Sequence, residues 1–161
     1  MIRAAIDPGQ HAALAVVQLS SGGPECIGLV AVTGKRWGAV LGDAIAGAPS
    51  PIWIERPATK IRSVAARHHL AMFGLGRSFG RIEQMCIDRG KEIRPVETAE
   101  WWARLPTRLT GKRGKGDHRI GEASTLVRRA AYWIDLVPDS CRVDAAEAIL
   151  MAYAACLASR P

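Results

Sequence analysis

Disulfide chemistry, zinc binding and membrane insertion are the roles this sequence is least equipped for. Its four cysteines, Cys26, Cys86, Cys141 and Cys156, form no Cys-x-x-Cys pair, and no histidine completes a zinc spacing. They read as buried free thiols in a reducing compartment. The longest apolar stretch, Ala145 to Ala158, contains Glu147 and is too short to cross a bilayer. Charged Asp7 interrupts the start before any apolar run develops, so no signal peptide is expected and the expected location is the cytoplasm. Internal repeats and domain linkers are also missing. With 161 residues, one domain over the whole chain, 1–161, is expected.

Acidic residues are the minority charge. Fifteen Asp and Glu face 22 Lys and Arg, for a net charge of +7 and a sequence pI of about 9.7. Such an excess suits an anionic partner, such as nucleic acid or an anionic membrane. The 48% hydrophobic and 23% charged composition is that of an ordinary globular protein.

Apolar runs at Ile2–Ile6, Leu14–Leu19 and Ile27–Val32 read as three strands of an antiparallel meander, with Ser21-Gly22-Gly23-Pro24 as the turn between the second and third. Trp37 to Ala46 has helical spacing, and Ile52-Trp53-Ile54 is a brief strand. Ser63 to Cys86 is mostly helical despite Gly74, Gly76 and Gly80, which imply a packing reason such as close approach to a sheet. Glu92 to Val96 supplies a fifth strand. Thr98 to Arg104 forms a short helix with Thr98 as a candidate N-cap. Gly111 to Asp117 reads as a flexible basic loop. Arg119 to Trp133 and Val143 to Leu157 complete the chain as two helices, the last amphipathic. The order implies an α/β fold with a central mixed five-stranded sheet flanked by helices.

The chemistry resides in carboxylates. Asp7 ends the first strand and Glu55 ends the fourth, so adjacent strands would bring the two together. Asp144 and Glu147 stand three apart on the last helix and share a face, which continues through Ala148, Met151 and Ala155 toward the sheet. Four converging carboxylates repel one another unless cations neutralise them. Hard oxygen ligands suit Mg²⁺, with Mn²⁺ able to substitute. Two such ions about 3.5–4 Å apart would hold a phosphodiester between them. Each acid also has an ordinary alternative: a turn for Asp7, pairing with Arg56 for Glu55, complementing the helix N-terminus for Asp144, and solvation for Glu147. Their joint arrangement carries the argument.

The basic residues fall in two groups. Lys112, Arg113, Lys115, His118 and Arg119 cluster before and within one helix start; Arg56, Lys60, Arg62 and Arg67 follow Glu55. Both groups are candidate contacts to DNA phosphates. Of Trp101 and Trp102, one could stack on a base while core packing claims the other. His11 lies near Asp7 in sequence.

Several motifs occur in a recognisable order: Ile6-Asp7-Pro8-Gly9, Ile54-Glu55-Arg56-Pro57, Phe73 to Gly80, Pro95 with Trp101, the basic segment from Gly111 to Arg119, and Asp144 to Ala152. Through them the chain resembles RuvC-type Holliday-junction resolvases, in particular the small phage-type branch. The resemblance implies an RNase H-like fold, a homodimer, and structure-selective endonuclease cleavage of four-way or other branched DNA. It assigns the metal to the same Asp7, Glu55, Asp144 and Glu147, the last often Asp in the family. It also places one lysine of the basic segment near the scissile phosphate, here taken as Lys115 over Lys112. Ala12 and Ala13 stand where glycines commonly follow the first motif, and Ala58 stands where some members carry an aromatic. Two other readings fit the same acids: an RNase H-like nuclease acting on RNA–DNA hybrids, and a basic nucleic-acid-binding module without catalysis.

Overall fold

The structure, a computed structural model, describes residues 1–9, 11–34, 37–56, 66–106 and 116–159. In chain order these form β1 (Ile2–Asp7), β2 (Ala13–Ser20), β3 (Gly23–Ala31), α1 (Trp37–Gly47), β4 (Ile52–Glu55), α2 (Ala66–Asp88), β5 (Ile93–Val96), α3 (Thr98–Trp102), α4 (Gly116–Leu126), α5 (Ala130–Asp135) and α6 (Arg142–Ala158). The strands make one mixed sheet in the order β3-β2-β1-β4-β5. β1, β2 and β3 are the expected antiparallel meander; β4 runs parallel to β1, and β5 parallel to β4. Parallel pairing needs a crossover, which α1 supplies between β3 and β4 and α2 between β4 and β5.

Side chains along a strand alternate between two faces. Ala4 and Ile6 of β1 and Ile52 and Ile54 of β4 lie in the core with α1 and α2, with Leu41, Ile45 and Ile82. Ala5 and Trp53 face the other way, into a core built around α6 and including Trp101, Ile134, Ile149 and Met151. Among the described residues, no helix is long and apolar enough to cross a membrane.

Several sequence expectations change. β3 begins at Gly23, so Pro24 is a strand residue rather than part of the turn. It pairs with Leu19 at the sheet's edge, where a missing N–H is tolerated. A bulge follows: Val16 pairs with Gly28 but Val17 with Cys26, which leaves Ile27 unpaired and exposed. The single helix expected over Arg119 to Trp133 is two, α4 and α5. Between them Arg128 leaves helical geometry to bond the edge of β3, accepting from the Cys26 N–H and donating to the Pro24 carbonyl, both at 2.9 Å. Arg129 then takes a left-handed φ of 63°. Val127, Ala130 and Ile134 keep apolar spacing across the break, so periodicity alone does not reveal it.

Gly74, Gly76 and Gly80 are exposed, and a Cβ on any of them would meet nothing within 4 Å. No close approach to the sheet explains them; α2 buries Ile82 and Cys86 instead. The helix runs on to Asp88 because Gly90, at φ 64°, caps it. The Gly90 N–H donates to the Ile87 carbonyl and the Lys91 N–H to the Cys86 carbonyl, both at 2.9 Å. Finally, α6 is not amphipathic. From Ala145 to Cys156 every residue but Glu147 is buried, because α3, α4 and α5 pack over the side turned from the sheet.

Candidate functional site

Strand parity decides where the first two acids go. Asp7 shares a face with Ala5, and Glu55 with Trp53, so both turn to the α6 side of the sheet. Ile6 pairs with Ile54 across the parallel β1–β4 ladder, so the two carboxylates at the strand ends come out side by side. α6 crosses the same end and brings Asp144 in its first turn and Glu147 one turn later. One carboxylate oxygen each from Asp7, Glu55 and Glu147 lie within 4.8 Å of one another.

The three acids are held differently. Asp7 is 5% exposed. Its Oδ1 accepts the Gly9 N–H at 2.9 Å, while Oδ2 is buried with no hydrogen-bond partner among the described residues. Burial pushes its carboxyl well above the usual carboxylate range; Asp144 and Glu55 add to the rise, and the Gly9 N–H and Arg119 oppose it. Glu55 has both oxygens engaged. The Thr98 hydroxyl donates to Oε1, and the Trp101 indole N–H donates to Oε2 at 3.3 Å. Glu147 is ion-paired with Arg119 of α4, whose guanidinium also lies 5.3 Å over the Trp102 ring.

Asp144 stands beside this trio, near enough to act electrostatically on Asp7. Its Oδ2 accepts the His11 N–H at 3.1 Å, which ties α6 to the segment after β1. Burial raises its pKa, and the His11 amide and ring pull it back. Gly9 is needed here: a Cβ on it would lie 3.0 Å from Asp144 Oδ1. The His11 ring turns to Thr33, with Nδ1 3.1 Å from the hydroxyl.

The basic candidates divide. Arg56 pairs not with Glu55 but with Glu97, at 2.7 Å, on an exposed surface. His118 is exposed on α4. Lys60, Arg62, Lys112, Arg113 and Lys115, and with them most of the expected loop, lie outside the described residues; Arg67 falls on α2 with its side chain outside the description. Gly116 and Asp117, expected in that loop, already belong to α4.

Two roles were not foreseen from sequence. Thr98 is not the N-cap of α3; Glu97 occupies that position, and the Thr98 hydroxyl goes to Glu55. Trp101 is fully buried and closed to any base; its indole N–H also serves Glu55. The available signal was spacing: Thr98 and Trp101, three apart, share a face of a helix that directly follows the strand beside β4.

Packed carboxylates with one buried oxygen left unsatisfied among the described residues make a deficit that a cation fits. An unpartnered buried acceptor costs about 1–3 kcal/mol, and repulsion among the acids adds to that. The donor set is oxygen only, which fits a hard divalent ion.

No protein-family model matches the chain, and no curated protein matches it. Solved structures do. A structure of Thermus thermophilus RuvC matches with a TM-score of 0.64, covering 99% of this chain and 96% of that one at 12% identity. A second, of T. thermophilus RuvC in complex with a Holliday junction substrate, matches with a TM-score of 0.65 at the same identity and coverage. At this identity the likeness is one of fold, and the mixed five-stranded sheet flanked by helices is the RuvC-type, RNase H-like fold.

Proposed function

We propose that this chain is a divalent-metal-dependent endodeoxyribonuclease that cuts branched DNA, four-way junctions first among its substrates. The observation that carries this reading is the convergence of Asp7, Glu55 and Glu147 within 4.8 Å, with Asp7 Oδ2 buried and unpartnered among the described residues. The net charge of +7 supports a polyanionic substrate. The likeness to a RuvC bound to a Holliday junction supports the branched form of that substrate.

In this reading Asp7, Glu55, Asp144 and Glu147 would hold the metal, with the His11 amide orienting Asp144. A pair of Mg²⁺ ions held by these acids would supply the Lewis acidity for water activation and for charge neutralisation at the leaving oxygen. The chain does the rest. β1 and β4 fix two acids on rigid strand ends, and α6 fixes the others. Arg56, Arg67, His118 and the residues Lys60, Arg62, Lys112, Arg113 and Arg119 hold backbone phosphates. Lys115 meets the scissile phosphate as charge develops. The protein acts as a single-domain homodimer, because a two-fold junction calls for two symmetric sites, and it works in the reducing cytoplasm, which suits its four free thiols.

A panel of labelled substrates with Mg²⁺ tests this: a four-way junction, a three-way junction, a flap, a plain duplex and an RNA–DNA hybrid. Metal-dependent incision of the four-way junction in preference to the duplex is expected. Preferential cutting of the hybrid would make the protein an RNase H-like ribonuclease, and binding without cutting would make it a non-catalytic module.

A further inference from the structure

Glu55 differs from its neighbours in being the acid whose two oxygens are each met by a side-chain donor from one short helix. The residues that meet it come straight out of β5, the parallel neighbour of β4. Val96 of β5 pairs with Glu55 itself and accepts the Arg56 N–H at 2.9 Å. Glu97 then takes Arg56 in an ion pair, and Thr98 takes Glu55. The last residue of β4 and the one after it are thus tied to the two residues that follow β5. Trp101 adds the third tie from the following turn.

The chemistry of the donors fixes their direction. An indole N–H only donates, and an ionised carboxylate only accepts, so the Thr98 hydroxyl must point its proton at Oε1. A glutamate at a strand end otherwise has three free side-chain torsions. With Oε1 and Oε2 each used by one donor, the carboxylate has little freedom left, and one of its oxygens stays within 4.8 Å of one from Asp7 and one from Glu147. Trp101 is itself fully buried within the α6-side core, with its ring edge-on to Trp102 at 5.1 Å, so the donor does not wander.

The geometry points to Thr98 and Trp101 as positioning residues that clamp both oxygens of Glu55 and set its aim at the metal. This inference rests on the metal-dependent reading above. Partners of this kind typically alter metal affinity by roughly 10–100-fold when removed.

The test uses the full chain and Mn²⁺ alone as the probe, with calorimetric titration and metal-free thermal unfolding measured side by side. Thr98→Val keeps the volume and loses the hydroxyl; Thr98→Ser keeps the hydroxyl. Trp101→Phe keeps an aromatic core residue and loses the N–H. Thr98→Val and Trp101→Phe are expected to weaken Mn²⁺ binding by roughly 10–100-fold, with Thr98→Ser staying near wild type. A merely structural threonine would not separate Val from Ser in this way. Thr98→Val binding Mn²⁺ as tightly as the wild type overturns the clamp, whatever Trp101→Phe does to folding. A wild-type chain that binds no Mn²⁺ overturns the metal reading and the clamp with it. Glu55→Gln binding as tightly as the wild type removes Glu55 from the ligands and so overturns the clamp alone.

Discussion

Arg119 of α4 reaches Glu147 of α6 and pairs with it while its guanidinium lies 5.3 Å over the Trp102 ring. The pair sits against the acid trio, and Arg119 also draws down the pKa of Asp7. Among the described residues, this arginine is a cation held against a set of repelling carboxylates. Arg119→Gln should destabilise the metal-free protein by about 1.5–3 kcal/mol, the range for a lost hydrogen bond to a charged partner. Saturating Mn²⁺ should recover much of that loss, because the metal replaces the missing charge. Thermal unfolding of both proteins with EDTA and with Mn²⁺ checks this; an equal deficit under both conditions would refute it.

Asp7→Asn should abolish cleavage and yet stabilise the metal-free protein. The folded-state pKa of Asp7 is raised well above the ordinary value of 3.8, so below neutrality the folded state binds the proton more readily than the unfolded state. Stability contributed by this group is then greatest at low pH and falls as pH rises from about the ordinary value through the raised one. Asparagine has no such proton to lose. In EDTA, the melting-temperature advantage of Asp7→Asn over wild type should grow from pH 4 to pH 8, and junction binding should persist. Undiminished cutting by Asp7→Asn would refute its role as a ligand.

How much of this was legible in the sequence depended on the period involved. Strand alternation has a period of two and little freedom, so the turn of Asp7 and Glu55 to a common face could be anticipated from Ala5 and Trp53. The i, i+3 spacing of Asp144 and Glu147 was equally readable. The break before α5 was not, because it depends on Arg128 bonding the distant edge of β3, a tertiary contact that leaves no glycine or proline behind. The all-round burial of α6 was hidden for a similar reason: α4 and α5 cover the face that an isolated helix would show to water. Thr98 was misjudged because local capping and a long-range bond to Glu55 make the same demand for a hydroxyl, and the long-range one prevails.

Gly9→Ala is expected to reduce cutting without removing any acid. The added Cβ would stand 3.0 Å from Asp144 Oδ1 and 3.2 Å from Oδ2, so Asp144 must move while the His11 amide still holds it. Misplacement of a ligand by a fraction of an ångström should lower the single-turnover rate about tenfold, with junction affinity nearly unchanged. A normal rate would mean that Asp144 tolerates the shift and is not held to a strict position.

We take the exposed glycine face of α2 as the candidate interface of the proposed homodimer, and its glycines give that proposal a direct test. In one protomer Gly76 and Gly80 have open space around them, so alanine should stabilise the helix by about 0.5–1 kcal/mol. If a second copy packs closely on this face, the same methyl groups collide with it. The Gly76→Ala, Gly80→Ala double variant should therefore melt higher as a dilute protomer but associate more weakly by light scattering. Unchanged association would move the interface elsewhere on the molecule.

Lys115 and Arg113 should separate into two roles on DNA. Lys115 stands one residue before α4 in the sequence, and Arg119 of that helix touches the acid Glu147. A group acting at the scissile phosphate helps mainly as charge develops in the transition state, so its loss lowers the rate more than the affinity. A group that only holds backbone phosphate weakens binding to all sequences about equally and reduces the salt slope by about one. Lys115→Ala should slow single-turnover cutting strongly with a modest loss of junction affinity, and Arg113→Ala should do the reverse. Binding titrations at two salt concentrations, set beside cleavage at saturating junction, distinguish them. Normal cutting by saturated Lys115→Ala would reduce Lys115 to a phosphate tether.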